Sequence, residues 1–284
     1  MTDAGAIGVV VVVAAVSVVV VAVALWAGWV TLSVVLRLAT DGGSAALWQA
    51  SFGDVRHAVE ILTWSWAGRS VDAPSGVPES AVGADIVVVM LHGTAADGTC
   101  MRRWAEAVRD VGIEAPVVSP DHGRFLRDPA IHGERIVRFV RRVIELAPQA
   151  RLVMVAHSMG GVALRHALLQ ADDIRQRVIG AVTVATPHQG TALAARFPMG
   201  PLRSLAWQSP TLQSLPVLEA LVPRVRSFAS DVDVIVYPPA TCEAGVHELI
   251  VGVGHAALLT DAAVARRVGE AVKAIIVDAG RLPC

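Results

Sequence analysis

The sequence is poor in cysteine, in clustered charge and in metal-ligand motifs. It has three cysteines, Cys100, Cys242 and Cys284, and none of them lies in a C-x-x-C or Cys/His pattern with zinc spacing. The formal net charge is −1 and basic residues do not cluster, which argues against nucleic acid as a partner. No P-loop, H-E-x-x-H or complete dinucleotide fingerprint occurs, so the sequence predicts no metal and no cofactor.

Charged residues are also absent from residues 4–36, where residues 9–23 are almost entirely Val and Ala. This run exceeds the roughly 20 residues that cross a bilayer as a helix. Trp26 and Trp29 lie near its end, as interfacial anchors would. A cleaved signal peptide fits less well, because the start lacks positive charge and the run is too long. The sequence therefore predicts a single-pass membrane anchor within residues 1–40. The flanking charges nearly cancel, and we expect the domain that follows, residues 85–284, to lie outside the cytoplasm.

Residues 41–84 follow the predicted anchor and are expected to form a helix and a linker. Apolar residues recur at spacings of three and four over residues 44–68, which predicts an amphipathic helix. Trp64 and Trp66 would suit a membrane surface, but a helix packed against the flank of the domain explains the pattern equally well. Residues 71–84 are rich in Pro, Ser and Gly, which is typical of a linker.

Residues 85–284 alternate apolar runs with helical patterns and predict one folded domain. Such alternation indicates an α/β fold in which helices flank a mostly parallel sheet. Strands are predicted at 85–91, 115–119, 152–155, 178–184, 231–237 and 246–251, and helices at 100–111, 131–146, 162–170 and 261–277.

Residues 191–226 interrupt this alternation. They contain five prolines and no clear strand, and they lie between two predicted strands of the sheet. Long connections of this kind are commonly functional. We therefore expect short helices that form a partial lid over the active site.

The chemistry centres on Ser158. A predicted strand ends at Ala156, and a helical pattern begins a few residues after the serine. Gly160 and Gly161 leave room for a very tight turn between the two elements. The pattern is a G-x-S-x-G nucleophile elbow with alanine in the first glycine position. At the start of the helix, the Met159 N–H would face an oxygen that gains negative charge during acyl transfer.

A nucleophilic serine needs an imidazole base, which is predicted at His255. This residue follows the last strand in a glycine-containing loop, and the glycines let the loop turn back over the sheet. His188 and His247 are the alternatives, and each is expected to be structural. His157 adjoins the serine, but consecutive residues at an elbow point apart.

The orienting acid should follow the preceding strand, where Asp231 and Asp233 are nearly equal candidates from spacing. The order Ser158, Asp, His255 is the order of an α/β-hydrolase, whereas other serine hydrolase folds use different orders. We expect the second oxyanion donor to be the backbone N–H of Thr94, which follows the first strand.

In this fold Cys100 and Cys242 would both lie in loops at the active-site end of the sheet. A disulfide between them and two free thiols are equally compatible with the sequence.

The combined motifs resemble bacterial lipases and esterases of the α/β-hydrolase superfamily. Residues 156–161 resemble the Ala-x-Ser-x-Gly elbow of small Bacillus lipases, and residues 252–259 are similar to their catalytic-histidine segment. Residues 233–236 resemble their acid segment, which favours Asp233 over Asp231. Residues 186–191 look like a Thr-Pro-His-x-Gly stretch of many lipases. No residue matches the paired-Asp calcium site of larger members, so the resemblance implies no metal.

The resemblance implies a serine hydrolase that cleaves carboxylic esters through an acyl-serine intermediate. Together with the predicted anchor, it favours lipid esters at a membrane surface, with a small ester as the simpler substrate. A membrane-associated acyltransferase or thioesterase is the alternative reading of the same features. A catalytically silent hydrolase fold that serves as a binding module is a further alternative, because fold does not imply function.

Overall fold

The computed structural model describes residues 28, 45–66, 79–123 and 127–280. The predicted anchor within residues 1–40 lies outside this part of the chain, apart from residue 28. None of the helices in the described ranges combines the length and apolar character that a membrane crossing requires.

One sheet of parallel strands forms the centre of the described structure. Its strands are β1 (Ile86–Leu91), β2 (Val117–Val118), β3 (Arg151–His157), β4 (Val178–Val184), β5 (Val225–Ser230) and β6 (Val246–Ile250), in the order β2-β1-β3-β4-β5-β6. Leu91 pairs with Ala156 and His157 with Val184, so the central strands end at the same edge. The predicted parallel α/β architecture is confirmed.

Strand β5 lies earlier in the chain than the sequence pattern predicts. A strand was expected at 231–237, but these residues form turns after β5. Valines 232, 234 and 236 are buried without joining the sheet, so their alternation mimics a strand. The Asp233 carboxylate also accepts the backbone N–H groups of Ile235 and Val236, a local turn that competes with strand pairing. Asp233 therefore lies in the loop beyond the strand, and the predicted lid overlaps the first residues of β5.

Helices cover both faces of the sheet. They are α1 (Ala45–Trp66), α2 (Arg102–Asp110), α3 (Pro129–Leu146), α4 (Met159–Gln170), α5 (Asp172–Arg175), α6 (Ala192–Arg196), α7 (Leu202–Leu205), α8 (Pro210–Ser214), α9 (Leu218–Leu221) and α10 (Ala262–Gly280). Helices α3 and α4 pack on one face, while α2 and α10 pack against each other on the opposite face.

Strand β1 shows why the apolar runs of the sequence are continuous. Val87, Val89 and Leu91 enter the core beneath α3 and α4. Val88 and Met90 point to the other face and join the core beneath α2 and α10. A strand covered on both faces needs apolar residues at every position, so the pattern does not alternate.

Helix α1 packs against the domain, the second of the two arrangements that the sequence allowed. Leu47 and Ile61 are buried. The helix contacts two short 3-10 turns, Gly98–Met101 and Ala257–Leu259. The second turn follows His255 directly, so α1 reaches the neighbourhood of the candidate base.

Cys100 and Cys242 are both buried and free. The structure therefore has two thiols at these positions, and the disulfide alternative is not formed.

Candidate active site

Ser158 occupies the turn between β3 and α4 with strained backbone angles. Its φ of 53° and ψ of −130° are unfavourable for a residue with a side chain. A Cβ atom on Gly160 would lie 2.5 Å from the His92 carbonyl oxygen, and one on Gly161 would collide with the Thr186 side chain. The two glycines are therefore required by close approach, and the turn holds the hydroxyl at the edge of the sheet.

Ser158, His255 and Asp233 form a hydrogen-bonded chain. The Ser158 Oγ lies 3.1 Å from the His255 Nε2, and the His255 Nδ1 lies 2.6 Å from the Asp233 Oδ2. The relative exposures of the three residues are 8%, 9% and 1%. Because a carboxylate accepts from Nδ1–H, the Nε2 atom is left to accept the serine proton. The structure thus brings together three residues that are far apart in the sequence.

Asp231 has a different position from Asp233. Its Oδ1 accepts the backbone N–H of Gly252 at 2.8 Å. The neighbouring Ser230 hydroxyl donates to the carbonyl of Val253 at 2.5 Å. Both contacts tie the end of β5 to the loop that carries His255, so Asp231 supports the loop and Asp233 contacts the imidazole.

The alternative bases make other contacts. The His188 Nε2 lies 3.1 Å from the Thr183 hydroxyl, and the His247 Nδ1 lies 2.8 Å from the Ser227 hydroxyl. The ring of His157 packs against His255 with a centroid separation of 4.8 Å. Its ring nitrogens form no hydrogen bond to the Ser158 hydroxyl, which agrees with the expectation that it points away from that hydroxyl.

Thr94 and Met159 both border the cavity beside Ser158. A Cβ atom on Gly93 would lie only 3.0 Å from the Ser158 Cβ, so the turn after β1 passes directly beside Ser158. Met159 is the first residue of α4, and first-turn amides of a helix have no partner within that helix. Thr94 and Met159 therefore both lie beside Ser158.

The charges around His255 favour its protonated form. Burial lowers the pKa of His255, but the Asp233 charge, its hydrogen bond and the Asp54 charge outweigh burial, so the pKa is raised above its usual value. Burial instead holds the pKa of His157 well below the usual histidine value. His157 is consequently neutral beside a base that can become charged.

A cavity of about 420 Å³ opens at the Ser158 and His255 side chains, a volume in the range of small-molecule sites. Its walls are mostly apolar, and they come from α1, from the loop after β5 and from α6 and α7. They include Ala58, Ile61, Leu193, Ala194, Leu202, Leu205, Ile235 and Val236. Only part of the predicted lid, residues 191–226, thus borders the cavity. Helices α6 and α7 border the cavity, whereas Leu212 and Leu218 of the two following helices belong to the core.

Three buried histidines lie behind the Thr94 turn. The rings of His92 and His122 are stacked with centroids 3.9 Å apart, and the His132 Nδ1 lies 2.9 Å from the His122 carbonyl oxygen. Burial holds the pKa of His122 well below its usual value. In the chain segments that the structure describes, no three His, Cys, Asp or Glu side chains are grouped as metal ligands.

Sequence reasoning missed Arg165, which connects α4 to the region predicted as a lid. This buried guanidinium donates to the carbonyls of His188 at 2.7 Å, Leu215 at 2.9 Å and Pro216 at 3.1 Å. Its signal in the sequence was a lone arginine within the apolar helix that follows the elbow. These hydrogen bonds hold the segment between α8 and α9 against α4.

Sequence reasoning also missed Asp54 of α1. Its Oδ1 accepts the backbone N–H groups of Ala256 and Ala257, each at 3.0 Å. These are the two residues after His255. No local pattern in the sequence pointed to this contact, because 202 residues separate Asp54 from Ala256.

Comparison with known proteins supports the architecture. Residues 86–205 match a family model described as the alpha/beta hydrolase fold. Similar solved structures include Aspergillus fumigatus lipase B, with 16% identity and a TM-score of 0.54 over 66% of this chain and 53% of that chain. A metagenomic carboxyl esterase has 19% identity and a TM-score of 0.51 over 72% of this chain and 78% of that chain. A Bacillus licheniformis lipase in its mature form has 13% identity and a TM-score of 0.50 over 66% of this chain and 91% of that chain.

The matched part of the chain spans about half the length of the Aspergillus lipase. No curated protein matches the sequence. At identities this low, structural similarity carries information about the fold alone. The parallel sheet, the elbow after β3, the matched family model and the similar structures together show that this chain has the α/β-hydrolase fold.

Proposed function

We propose that the protein is a serine hydrolase that cleaves carboxylic esters through an acyl-serine intermediate. One observation carries the proposal. The hydroxyl of Ser158, the imidazole of His255 and the carboxylate of Asp233 form a continuous hydrogen-bonded chain at the mouth of an apolar cavity. The α/β-hydrolase fold is compatible with this chemistry, and lipases and esterases are among the proteins that share the fold.

In the first half of the reaction, the Ser158 hydroxyl attacks the ester carbonyl while the His255 Nε2 accepts the hydroxyl proton. Asp233 stabilises the imidazolium that forms. The backbone N–H groups of Thr94 and Met159 donate to the oxyanion of the tetrahedral intermediate. Collapse of that intermediate releases the alcohol, which takes the proton from His255.

In the second half, water attacks the acyl-serine. His255 accepts a proton from the water and returns it to the Ser158 oxygen as the acid leaves. The same backbone N–H groups hold the second oxyanion. The cycle restores the starting protonation of all three side chains.

The apolar cavity favours an acyl group with a hydrocarbon chain as its occupant. We further propose that the natural substrates are lipid esters at a membrane surface, because a predicted anchor within residues 1–40 would hold the domain there. The proposed arrangement is single-pass, with the domain outside the cytoplasm.

A fluorophosphonate probe and p-nitrophenyl butyrate test the catalytic assignment. We expect wild-type protein to react with both, and Ser158→Ala to lose probe labelling and to reduce turnover by at least about 10⁴-fold. Ser214→Ala is the matched control. Ser214 is exposed, so its substitution should change neither probe labelling nor turnover. Labelling that persists on another serine in a folded Ser158→Ala protein would reject the assignment. A folded wild-type protein that is never labelled would favour the binding module.

A panel of acyl esters, acyl thioesters and alcohol acceptors separates the enzyme classes, and each is measured with and without phospholipid vesicles. Faster turnover of longer esters on vesicles supports a lipid-ester hydrolase. Preferred transfer to an alcohol indicates an acyltransferase, and preferred thioester cleavage a thioesterase. Rates that are highest for acetate esters and are the same with and without vesicles would contradict action at a membrane surface.

A further inference from the structure

Asp54 is a buried carboxylate that contacts the catalytic loop from a distant part of the chain. Its relative exposure is 0%, and its Oδ1 accepts the N–H groups of Ala256 and Ala257. These amides open the 3-10 turn Ala257–Leu259, and the first amides of such a turn lack partners within it. The carboxylate therefore caps the turn that begins directly after His255.

Gly254 shows that the loop is shaped around this carboxylate. A Cβ atom at this position would lie 2.5 Å from the Asp54 Oδ2 and still closer to the other carboxylate atoms. A real Cβ atom essentially never approaches this closely. The glycine immediately before His255 is thus required by the presence of Asp54, in addition to any flexibility that it gives the loop.

We propose that Asp54 is a positioning residue for the catalytic histidine. It holds the loop so that the imidazole faces Ser158, and in its ionised form it also favours the imidazolium. This inference rests on the proposed ester hydrolysis. It also makes α1, which precedes the predicted linker, a working part of the active site.

Burial raises the pKa of Asp54 to about 7, although the Ala257 amide and the His255 charge act in the opposite direction. The charged groups that face it across the contact are His255 and Asp233. Helix α1, which carries Asp54, also carries His57 and Glu60. The His57 Nδ1 lies 3.4 Å from the Glu60 carboxylate and 2.7 Å from the Thr260 hydroxyl. The ionisation of Asp54 is consequently coupled to that of His255.

Substitution can separate the two functions of the Asp54 carboxylate, which are its negative charge and its hydrogen bonds to the loop amides. Asp54→Ala removes the charge and the acceptor for both amides, whereas Asp54→Asn removes the charge and keeps an acceptor oxygen. Because the Asp54 charge raises the pKa of His255, the Asn variant should move the acid limb of the pH–rate profile to lower pH. Glu60→Gln makes the same chemical change on the same helix and serves as the control.

Turnover of p-nitrophenyl butyrate provides the main test. We expect Asp54→Ala to lower kcat about 10- to 100-fold with little change in KM, because a slight displacement of the base slows chemistry more than binding. Asp54→Asn should lower kcat less and shift the acid limb. Glu60→Gln should match wild type. A residue with only a role in folding would change the amount of folded protein, without moving the pH profile.

A double-mutant cycle tests the contact itself. Gly254→Ala should lower kcat, since its Cβ atom would displace the Asp54 carboxylate. The Asp54→Ala variant leaves space for this Cβ atom. In that background, Gly254→Ala should therefore lower kcat much less than it does in the wild-type protein. Fully additive losses would show that the two residues act independently and would overturn the assignment.

Unfolding at different pH gives a readout that does not need activity. An aspartate is ionised above about pH 4 in the unfolded chain, whereas folded Asp54 ionises near pH 7. The folded state therefore holds an extra proton between these values, and wild type should lose stability relative to Asp54→Asn as pH rises through this window. If Asp54→Ala does not fold, the pH–rate profile of Asp54→Asn keeps the proposal testable.

The outcomes separate the two proposals. A folded wild-type protein that neither hydrolyses esters nor reacts with fluorophosphonate rejects the proposed function. If wild type is active while folded Asp54→Ala keeps its kcat and Asp54→Asn keeps the wild-type pH profile, the inference about Asp54 is wrong and the proposed function stands.

Discussion

The two sides of the active site are held in different ways. Ser158 is held by its neighbours in sequence, because β3 precedes it and α4 follows it directly. His255 lies in a loop whose contacts come from distant segments. Asp233 is 22 residues away, and Asp54 reaches Ala256 across 202 residues. The position of Ser158 is thus encoded locally, whereas the position of His255 depends on contacts that form only when the chain folds.

This difference follows from the chemistry of each group. The serine must stand on a strained turn, and small neighbours are enough to permit it. The imidazole must be oriented within a few tenths of an ångström, and a loop with two glycines cannot do this alone. Carboxylates from the loop after β5 and from α1 supply the missing restraint through hydrogen bonds to the ring and to the loop backbone.

Asp233→Asn should have the largest effect on the histidine side. The substitution keeps the shape of the side chain but favours the wrong imidazole tautomer, for which a loss of about 10⁴-fold in kcat is expected. Steady-state turnover of p-nitrophenyl butyrate measures this loss. Asp231→Asn is the matched control and should retain most activity, because Asp231 contacts the Gly252 amide and not the ring. A larger loss for Asp231→Asn would reverse the choice of acid.

Gly160→Ala tests the serine side with an intermediate effect. Its Cβ atom would press on the His92 carbonyl, so we expect a loss of about 1–3 kcal/mol in the free energy of unfolding. Fluorophosphonate labelling should slow as the elbow shifts. Chemical denaturation and labelling rates give both quantities. Gly53→Ala is the control, because no atom lies within 4 Å of its added Cβ. Unchanged stability and labelling for Gly160→Ala would contradict a sterically determined elbow.

Ala58→Phe tests the contribution of α1 to the cavity and should have the smallest effect. The added ring would fill space beside Ser158 and shorten the region available to an acyl chain. We expect kcat/KM to fall about 10-fold for long p-nitrophenyl esters, and much less for acetate. Thr63→Phe places the same ring at an exposed position of the helix and should keep the wild-type preference. Equal losses for all chain lengths would show that this wall does not contact the acyl group.

Much of the fold could be predicted from the sequence because β1, β3 and β4 are buried on both faces along nearly their whole length. Their continuous apolar runs predicted these three strands, and the order of elements predicted a parallel sheet. The strands predicted at 115–119 and 246–251 also contain β2 and β6. The exception was β5. Its polar residues Arg226, Ser227 and Ser230 weaken the strand pattern, while the buried valines of the following loop imitate one.

The candidate site was predictable to the extent that its residues lie in local motifs. Ser158, Met159 and His255 stand in recognisable turns, and Asp233 needed a family resemblance to be preferred over Asp231. Asp54 and Arg165 act through backbone groups far away in the chain, so their roles leave no pattern in their own neighbourhood.

By itself the sequence determined that a serine elbow follows a buried strand and that a histidine follows the last strand of the sheet. Apolar periodicity and the size of neighbouring residues carry that information. Only the tertiary structure decided which aspartate contacts the imidazole, which helices border the cavity, and that a carboxylate from α1 caps the histidine loop. These contacts join segments that are distant in the chain, and their energies exist only once the segments are packed together.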